Sequence, residues 1–202
     1  MCNEYEIQAK YEDYMGFFSR LKVPLFPKRT PNWLRPLSSV RIGDDGPAIR
    51  LQDDGAHLVQ LRFGWPGPQR KPVFNMRSEG RAFSKRCIIP ATGFFEFTEP
   101  EGWKKGQRKT RHRFAMAGEP LFGIAGTWRE SEGDVGEAFA MLTVEPGPDV
   151  APIHDRQIVV LPPARWMDWL QADGRANQAA LLTPSPAGAL ASEVVAAAPI
   201  AR

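Results

Sequence analysis

The stretch Arg86-Cys87-Ile88-Ile89-Pro90-Ala91-Thr92-Gly93-Phe94-Phe95-Glu96-Phe97 contains two apolar segments separated by a break that runs from a proline to a glycine. Short apolar and aromatic segments bounded by such residues are typical of β-strands. We therefore predict one strand over Arg86–Ile89 and a second over Phe94–Thr98. Alternation along the second strand places Phe95 and Phe97 on one face and Glu96 on the other.

Comparable segments recur on both sides of this stretch. Further strands are predicted over His57–Phe63, Arg113–Ala117, Leu121–Trp128, Ala138–Val144 and Gln157–Leu161. Helices are predicted over Glu6–Leu21, Ala164–Ala172 and Gly188–Ala197, and prolines make Pro24–Pro36 irregular. Strands in the middle and helices towards both ends indicate an α+β fold. We expect a single domain over residues 1–202, with a mainly antiparallel, barrel-like sheet flanked by helices.

The composition excludes several classes of protein. The chain has 202 residues, of which 43% are hydrophobic, enough for one sizeable core. It has no run of about 18 apolar residues, so no membrane span is expected. The N-terminus is acidic and aromatic, unlike a signal peptide, which predicts a cytoplasmic protein. Two cysteines and three histidines without ligand spacing predict free thiols, no metal site and no cofactor.

The distribution of charge says more than the net charge of +3. Basic residues concentrate in three segments, at positions 14–43, 70–86 and 104–113, and the first of these contains no acid. Local basic fields of this kind suit a polyanion such as nucleic acid. Each segment alone is equally typical of a solvated loop.

Cys2 is the first candidate for chemistry. Removal of Met1, which is usual before a small second residue, leaves an α-amine and a thiol on one residue. Their ordinary pKa values are about 8 and about 8.5, so both nucleophilic forms exist near neutral pH. A 1,2-aminothiol condenses with an aldehyde to a Schiff base, which the thiol closes to a thiazolidine. Taken alone, Cys2 also fits an ordinary frayed terminus.

Three other side chains carry polar groups in apolar surroundings. The amide of Asn75 is suited to orient a substrate oxygen or the Cys2 amine, or simply to hold a turn. Glu96 is the one charge in an aromatic strand, where it is either a general acid or base with a raised pKa or a solvent-facing residue of an edge strand. His154 precedes an apolar segment and is either a proton shuttle or a residue that ties down a loop.

Arginines near these residues are candidates for binding phosphate. Arg77 lies two residues after Asn75, and its planar guanidinium suits a phosphate. The alternative is a surface salt bridge, for example with Glu79. Cys87 lies in an apolar segment and is predicted to be a small core residue rather than a second nucleophile.

Taken together and in this order, these motifs resemble those of the SRAP family (SOS-response-associated peptidase domain, the abasic-site shield proteins). Asn75-Met76-Arg77-Ser78-Glu79 is similar to the family's Asn-Ala-Arg-Ser/Ala-Glu, and the stretch from Arg86 to Glu96 to its Arg-Cys-Leu-Ile-Pro-Ala-Asp-Gly-Phe-Tyr-Glu. Gly123-Ile124-Ala125-Gly126-Thr127-Trp128 is similar to its Phe-Ala-Gly-Leu-Trp, and His154-Asp155-Arg156 to its His-Asp-Arg. The resemblance covers nearly the whole chain and is weakest between residues 3 and 58.

The resemblance implies the SRAP fold and a monomer with a basic cleft for single-stranded DNA that contains abasic sites. It implies that Cys2 forms a thiazolidine with the open-chain aldehyde of the abasic site and that Asn75 positions the reacting centre. Glu96 would assist proton transfers, and His154 would take part in opening the deoxyribose ring. The DNA-binding residues expected are Arg77, which the resemblance implies, and Arg81, Phe95 and Arg156, of which Arg81 and Phe95 are placed near the cleft only by proximity in sequence.

One departure from the family concerns the residues after Cys2. The family has Gly-Arg there, whereas this chain has Asn3 and Glu4, and a carboxylate at that place is expected to repel phosphate. Two other functions fit the same residues. One is a cysteine peptidase with Cys2 as nucleophile and His154 as base, including self-removal of Met1. The other is a non-covalent binder of single-stranded DNA.

Overall fold

The computed structural model of the chain describes residues 2–130 and 136–195, and β-strands dominate it. In chain order the strands are β1 (Glu4–Ile7), β2 (Leu25–Phe26), β3 (Leu37–Arg41), β4 (Asp45–Gln52), β5 (Gly55–Phe63), β6 (Trp65–Pro66), β7 (Pro72–Val73), β8 (Asn75–Arg77), β9 (Arg86–Ala91), β10 (Gly93–Thr98), β11 (Thr110–Met116), β12 (Phe122–Arg129), β13 (Ala138–Val144), β14 (Gln157–Ile158), β15 (Val160–Leu161) and β16 (Leu190–Val195). The helices are α1 (Tyr11–Arg20), α2 (Trp166–Gln171) and α3 (Gly174–Ala179), with 3-10 turns at Pro68–Arg70 and Pro163–Arg165. The predicted α+β class, with mainly antiparallel sheets, is confirmed.

Five strands of the larger sheet close into a ring. The strands β13, β12, β9, β4 and β5 pair in that order, each antiparallel to the next. A short parallel contact between β5 and β13, with Phe63 opposite Phe139, joins the two ends. The same two rings stack at 5.1 Å between centroids in the core. The packing requires glycine at position 126 of β12, because a Cβ there would overlap the side chain of Ile89.

A second sheet lies beside this barrel and holds the start of the chain. Its strand order is β16-β11-β10-β1-β3, and all its pairings are antiparallel. The strand β1 lies between two neighbours, with Glu4 opposite Phe95 on one side and Arg41 on the other. The first described residues are therefore fixed by a sheet, which keeps Cys2 in a defined place.

The helices pack against the strands through aromatic side chains. In α1 the buried ring of Phe17 lies 4.8 Å from that of Trp166, the first residue of α2. The second tryptophan of α2, Trp169, donates from Nε1 to the carbonyl of Cys87 at 2.9 Å. Cys87 is fully buried, which confirms its prediction as a core residue. No helix in the described part of the chain is long and apolar enough to span a bilayer.

Two predictions of helix were wrong at the chain ends. The predicted helix over Glu6–Leu21 begins only at Tyr11, because pairing with β10 and β3 places Glu6 and Ile7 in the strand β1. The predicted helix over Gly188–Ala197 is instead the strand β16, paired with β11 along its whole length. Residues 196 and 197 of that prediction lie outside the described residues. Tertiary pairing decided the structure of both segments over local propensity.

Elsewhere the outcome is closer to the prediction. The strand over Ala138–Val144 has its predicted bounds, and the segment Gln157–Leu161 is split into β14 and β15. The strands β3 and β4 and the helix α3 were not predicted. The proline-rich segment contains only the two-residue strand β2.

Candidate active site

Cys2 is held at its side chain and at its backbone. Its side chain is buried, with the residue 1% exposed, and its thiol donates to the carbonyl oxygen of Glu4 at 3.3 Å. The side-chain nitrogen Nδ2 of Asn75 donates to the carbonyl oxygen of Cys2 at 2.7 Å. Asn75 is itself fixed because it begins β8, which pairs with β13 in register with Met141. The two residues that sequence reasoning placed at the reacting centre are therefore in direct contact.

Glu96 is buried beside this contact. It lies on β10, one residue from the strand partner of Glu4, and only 2% of it is exposed. Burial raises the pKa of its carboxyl from the ordinary value to about 7, and the nearby charge of Asp155 acts in the same direction. Burial also raises the pKa of the Cys2 thiol, and the charge of Glu96 raises it further. Near neutral pH the carboxyl is thus able both to give and to take a proton.

His154 faces the same carboxylate from a different part of the chain. A tight turn sets its position, because its backbone N–H donates to the carbonyl of Val150 at 3.0 Å. Its ring atom Nε2 lies 4.0 Å from Oε2 of Glu96. Burial lowers the pKa of the imidazole below its ordinary value, which favours the neutral ring near pH 7. The ring is nevertheless part-exposed, with 21% of the side chain accessible, so it is reachable from solvent.

The other ring nitrogen of His154 has one partner for each protonation state. The backbone N–H of Arg156 donates to Nδ1 at 2.9 Å, which suits a neutral ring with its proton on Nε2. The carboxylate oxygen Oδ1 of Asp155 also lies 2.9 Å from Nδ1 and suits a ring protonated there. Only the form protonated at Nδ1, with Asp155 as the partner of that proton, leaves Nε2 able to take up and return a proton.

Arg156 and Arg77, which were both expected to bind DNA, have different surroundings. Arg156 is 8% exposed and pairs through both terminal nitrogens with Glu79, at 2.6 and 3.0 Å. It also donates to the carbonyl of Thr143 at 2.8 Å. The partner of Glu79 is thus Arg156 and not Arg77, the pairing considered from the sequence. Arg77 and Arg81 are exposed, as a phosphate-binding role requires.

Phe95 lies in a buried cluster with Glu4, one of the two residues after Cys2 that differ from the family. Its ring is 1% exposed, and the guanidinium of Arg111 lies 3.4 Å from the ring centroid. Arg111 Nη2 donates to Oε1 of Glu4 at 2.8 Å, and Ser39 Oγ donates to the same oxygen at 2.7 Å. The charge of Glu4 is balanced there, which removes the expected reason for it to repel phosphate. This position suits packing more than base stacking, and DNA contact by Phe95 stays a prediction.

The residues that anchor Glu4 were not predicted from the sequence. Ser39 and Arg41 come from β3 and Arg111 from β11, and Arg41 Nη2 lies 3.7 Å from Oε1 of Glu4. The only signal in the sequence is a charge at alternate positions of a strand, as in Arg111 and Arg113. In residues 2–130 and 136–195, no three His, Cys, Asp or Glu side chains are grouped so that they could share a metal ion.

Comparison with known proteins connects this geometry to one family. Residues 1–198 match the family model described as SOS response associated peptidase (SRAP). The abasic site processing protein YobE of Bacillus subtilis (strain 168) is 35% identical over 192 residues, covering 84% of this chain and 82% of the relative. The abasic site processing protein YedK of Escherichia coli (strain K12) is 26% identical over 204 residues, covering 92% and 86%.

Solved structures show the same fold. A protein from Bordetella bronchiseptica superposes with a TM-score of 0.74 at 24% identity, covering 97% of this chain and all of the other. A protein from Bacteroides thetaiotaomicron also gives a TM-score of 0.74, at 19% identity, covering 96% and 92%.

Proposed function

The chain belongs to the SOS response associated peptidase (SRAP) family, and from that premise we propose that it recognises abasic sites in single-stranded DNA and bonds covalently to them through Cys2. The relatives YobE and YedK are named abasic site processing proteins, which supports the lesion as the target. The reaction requires a free amine on Cys2. Met1, whose removal would supply it, lies outside the described residues.

The observation that carries the proposal is the convergence of four residues distant in sequence. Asn75 donates a hydrogen bond to the carbonyl of Cys2, and the charge of Glu96 raises the pKa of the Cys2 thiol. His154 approaches that carboxylate to 4.0 Å. An aldehyde that reaches Cys2 therefore meets two nucleophiles and two groups able to transfer protons.

The proposed reaction begins at the amine. An abasic deoxyribose is in equilibrium between a closed hemiacetal and an open aldehyde, and only the aldehyde reacts. The Cys2 amine adds to the aldehyde carbon to form a carbinolamine, which loses its hydroxyl as water and leaves an imine. The thiol sulfur then bonds to the imine carbon while its proton passes to the nitrogen. The product is a thiazolidine, and one water is released overall.

Glu96 is suited to the two proton transfers within this sequence. With a pKa of about 7, it is present in both forms near neutral pH. The acid form donates a proton to the departing hydroxyl of the carbinolamine. The carboxylate then accepts the thiol proton as the carbon–sulfur bond forms. One group thereby serves successive steps without waiting for solvent.

His154 is suited to the step before them. Opening of the deoxyribose ring needs a proton removed from the hemiacetal hydroxyl and one supplied to the ring oxygen. A part-exposed imidazole whose Nδ1 proton is held by Asp155 takes up the first proton and supplies the second through Nε2.

The state of the thiol separates this proposal from a cysteine peptidase. A peptidase nucleophile needs a depressed pKa, usually from a neighbouring imidazolium. Burial instead raises the pKa of the Cys2 thiol, and the nearby carboxylate raises it further. In thiazolidine formation the amine attacks first and the thiol reacts within the same residue, so a neutral thiol is no obstacle.

The test is an intact-mass and denaturing-gel measurement on the purified protein. Incubation with a single-stranded oligonucleotide containing one abasic site should give an adduct that survives denaturation. Its mass should equal that of the protein without Met1 plus the DNA, minus one water. The matched oligonucleotide with a tetrahydrofuran analogue, which has no aldehyde, should give no adduct. A protein that retains a free N-terminal Cys2 and forms no adduct with the natural site would contradict the proposal.

A further inference from the structure

We propose that the loop joining β10 to β11, residues 99–109, binds the DNA backbone on one side of the abasic site. We call this loop the basic hairpin. The inference rests on the proposed function for its ligand, and it adds a second contact surface outside the reacting centre. It also predicts an asymmetry, in which only one flank of the lesion is held by the basic hairpin.

The strand register places the basic hairpin next to the nucleophile. The strands β1 and β10 run antiparallel, with Glu4 opposite Phe95. Continuing this register by two residues brings Cys2 beside Phe97, next to Thr98 at the end of β10. The chain enters the basic hairpin directly after Thr98. A strand advances about 3.3 Å per residue, so the basic hairpin begins within roughly 10 Å of the reacting centre along the sheet.

The charges of the basic hairpin point outward and are largely available. Lys104, Lys105 and Arg108 are exposed and form no ion pair with any residue that the structure describes. Lys109 is paired with Glu99 at 2.9 Å. The basic hairpin thus has three unpaired cations and one further acid, Glu101. A DNA strand that leaves the site on this side would pass these cations.

Local hydrogen bonds hold the shape of the basic hairpin. The backbone N–H of Lys104 donates to the side-chain oxygen Oε1 of Gln107 at 2.9 Å, and Gln107 N–H donates back to the carbonyl of Lys104 at 3.0 Å. Trp103 Nε1 donates to the carbonyl of Gln107 at 2.9 Å, and Lys109 lies over its ring at 5.1 Å. A loop ordered in this way loses less conformational entropy when phosphates bind than a free chain does.

The asymmetry follows from the order of the sheet. The basic hairpin belongs to β10 and β11, which lie on one side of β1, whereas β3 lies on the other. A cleft of about 360 Å³ next to Asn3 is lined by Arg41 and Ile42 on the β3 side and by Phe97 of β10 on the other side. A strand that crosses Cys2 therefore meets the basic hairpin on one flank only.

The test compares salt dependence for oligonucleotides extended on either side of the lesion. The variant K104Q/K105Q/R108Q removes the three free cations and touches no residue of the reacting centre. Non-covalent binding is measured with single strands that contain a tetrahydrofuran site and extend only in the 5′ or only in the 3′ direction. Each phosphate contact contributes about 0.7 to the slope of log affinity against log salt, so the slope should fall by about 2 for one direction. It should not change for the other direction.

The control is K10Q/R20Q/K22Q, which removes three exposed cations around α1, beyond the opposite end of β1. Its slopes should equal those of the wild type. Unchanged slopes in K104Q/K105Q/R108Q, equal losses in both directions, or an equal loss in the control would overturn the inference. Crosslinking to natural abasic DNA is scored separately on the same proteins. A wild type that forms no adduct overturns the proposed function, whereas an adduct with unchanged slopes overturns only the role of the basic hairpin.

Discussion

The side chain of Asn75 donates a 2.7 Å hydrogen bond to the backbone carbonyl of Cys2, which lies 73 residues earlier in the chain. Its other polar atom, Oδ1, is buried and accepts no hydrogen bond from any residue within the described ranges. The donor end of one amide thus fixes the backbone of Cys2, while its acceptor end remains available at the same place. An N–H or O–H of the reacting centre, such as the carbinolamine hydroxyl, is a suitable donor for it.

This relationship predicts the effect of Asn75→Asp. A carboxylate places an acceptor against the carbonyl of Cys2, so the hydrogen bond is lost and the nucleophile is released from its position. Loss of a buried hydrogen bond costs about 1–3 kcal/mol, which corresponds to crosslinking roughly 5 to 150 times slower at saturating DNA. Rapid-quench sampling on denaturing gels measures the rate. Asn75→Asp with a wild-type rate and unchanged thermal stability would show that the contact has no role in the reaction.

The two cysteines predict opposite phenotypes for the same substitution. Cys2→Ser keeps the amine but replaces the thiol, so the imine forms without ring closure, and the denaturant-stable adduct should be lost. Cys87→Ser places a hydroxyl in the core, where the residue is fully buried, and should lower stability by about 1–3 kcal/mol. Its crosslinking should remain. Gel assays and thermal melts on both variants measure these effects. A folded Cys87→Ser variant that forms no crosslink would show that the assignment of Cys2 as the only reacting cysteine is wrong.

The sequence predicts the strands around the site well and the chain ends poorly. The segments that became β9, β10 and β13 are rich in apolar and aromatic residues, and the strands that pair with them support that local preference. The segment 188–197 is rich in alanine, and only pairing with β11 made it a strand. A single sequence contains no signal for such a pairing. Likewise, the family motif identified Asn75, Glu96 and His154, but not the contact of Glu4 with Arg111.

Glu96 should make the stability of the protein depend on pH. Burial raises its pKa from an ordinary value of 4.5 to about 7, so the folded protein binds this proton more tightly than the unfolded chain. The contribution of Glu96 to folding is therefore fully present below pH 4.5 and is lost as the pH rises through about 7. Glu96→Gln cannot ionise, so it should be more stable than the wild type by about 3 kcal/mol at pH 9.

Urea unfolding of Glu96→Gln and wild type at pH 5 and pH 9 measures this difference. The two proteins should differ less at pH 5 than at pH 9. The same variant should crosslink slowly at every pH, because glutamine neither gives nor takes a proton. A constant difference in the free energy of unfolding between the two pH values would show that Glu96 is not a buried acid with a raised pKa.

Substitutions of Arg77 and Arg156 should have different effects, the first on DNA binding and the second on the stability of the fold. Arg77 is exposed, so Arg77→Gln should weaken DNA binding and lower its salt slope by about 0.7 while leaving the melting temperature unchanged. Arg156 is buried and donates to Glu79 and Thr143, while the side chain of Glu79 is half-exposed, so Arg156→Gln should destabilise the fold by about 1–3 kcal/mol through the lost hydrogen bonds. Melting curves and salt titrations on both variants measure the two effects. A destabilised Arg77→Gln, or an Arg156→Gln that melts like the wild type, would contradict this assignment.

The carboxylate of Glu4 should matter for the position of Cys2 rather than for repulsion of phosphate. Glu4 is 4% exposed and joins β1 to β3 through Ser39 and to β11 through Arg111. Glu4→Gln removes the negative charge from a buried ion pair, which should destabilise the protein by about 3 kcal/mol. Crosslinking should also slow at a temperature where the variant is folded. The carbonyl of Glu4 accepts a hydrogen bond from the Cys2 thiol, and a shift of β1 would therefore move the thiol. If Glu4 acted by repelling phosphate, the same variant would bind DNA more tightly and crosslink faster, so melting curves and crosslinking rates of Glu4→Gln distinguish the two roles by the sign of the change.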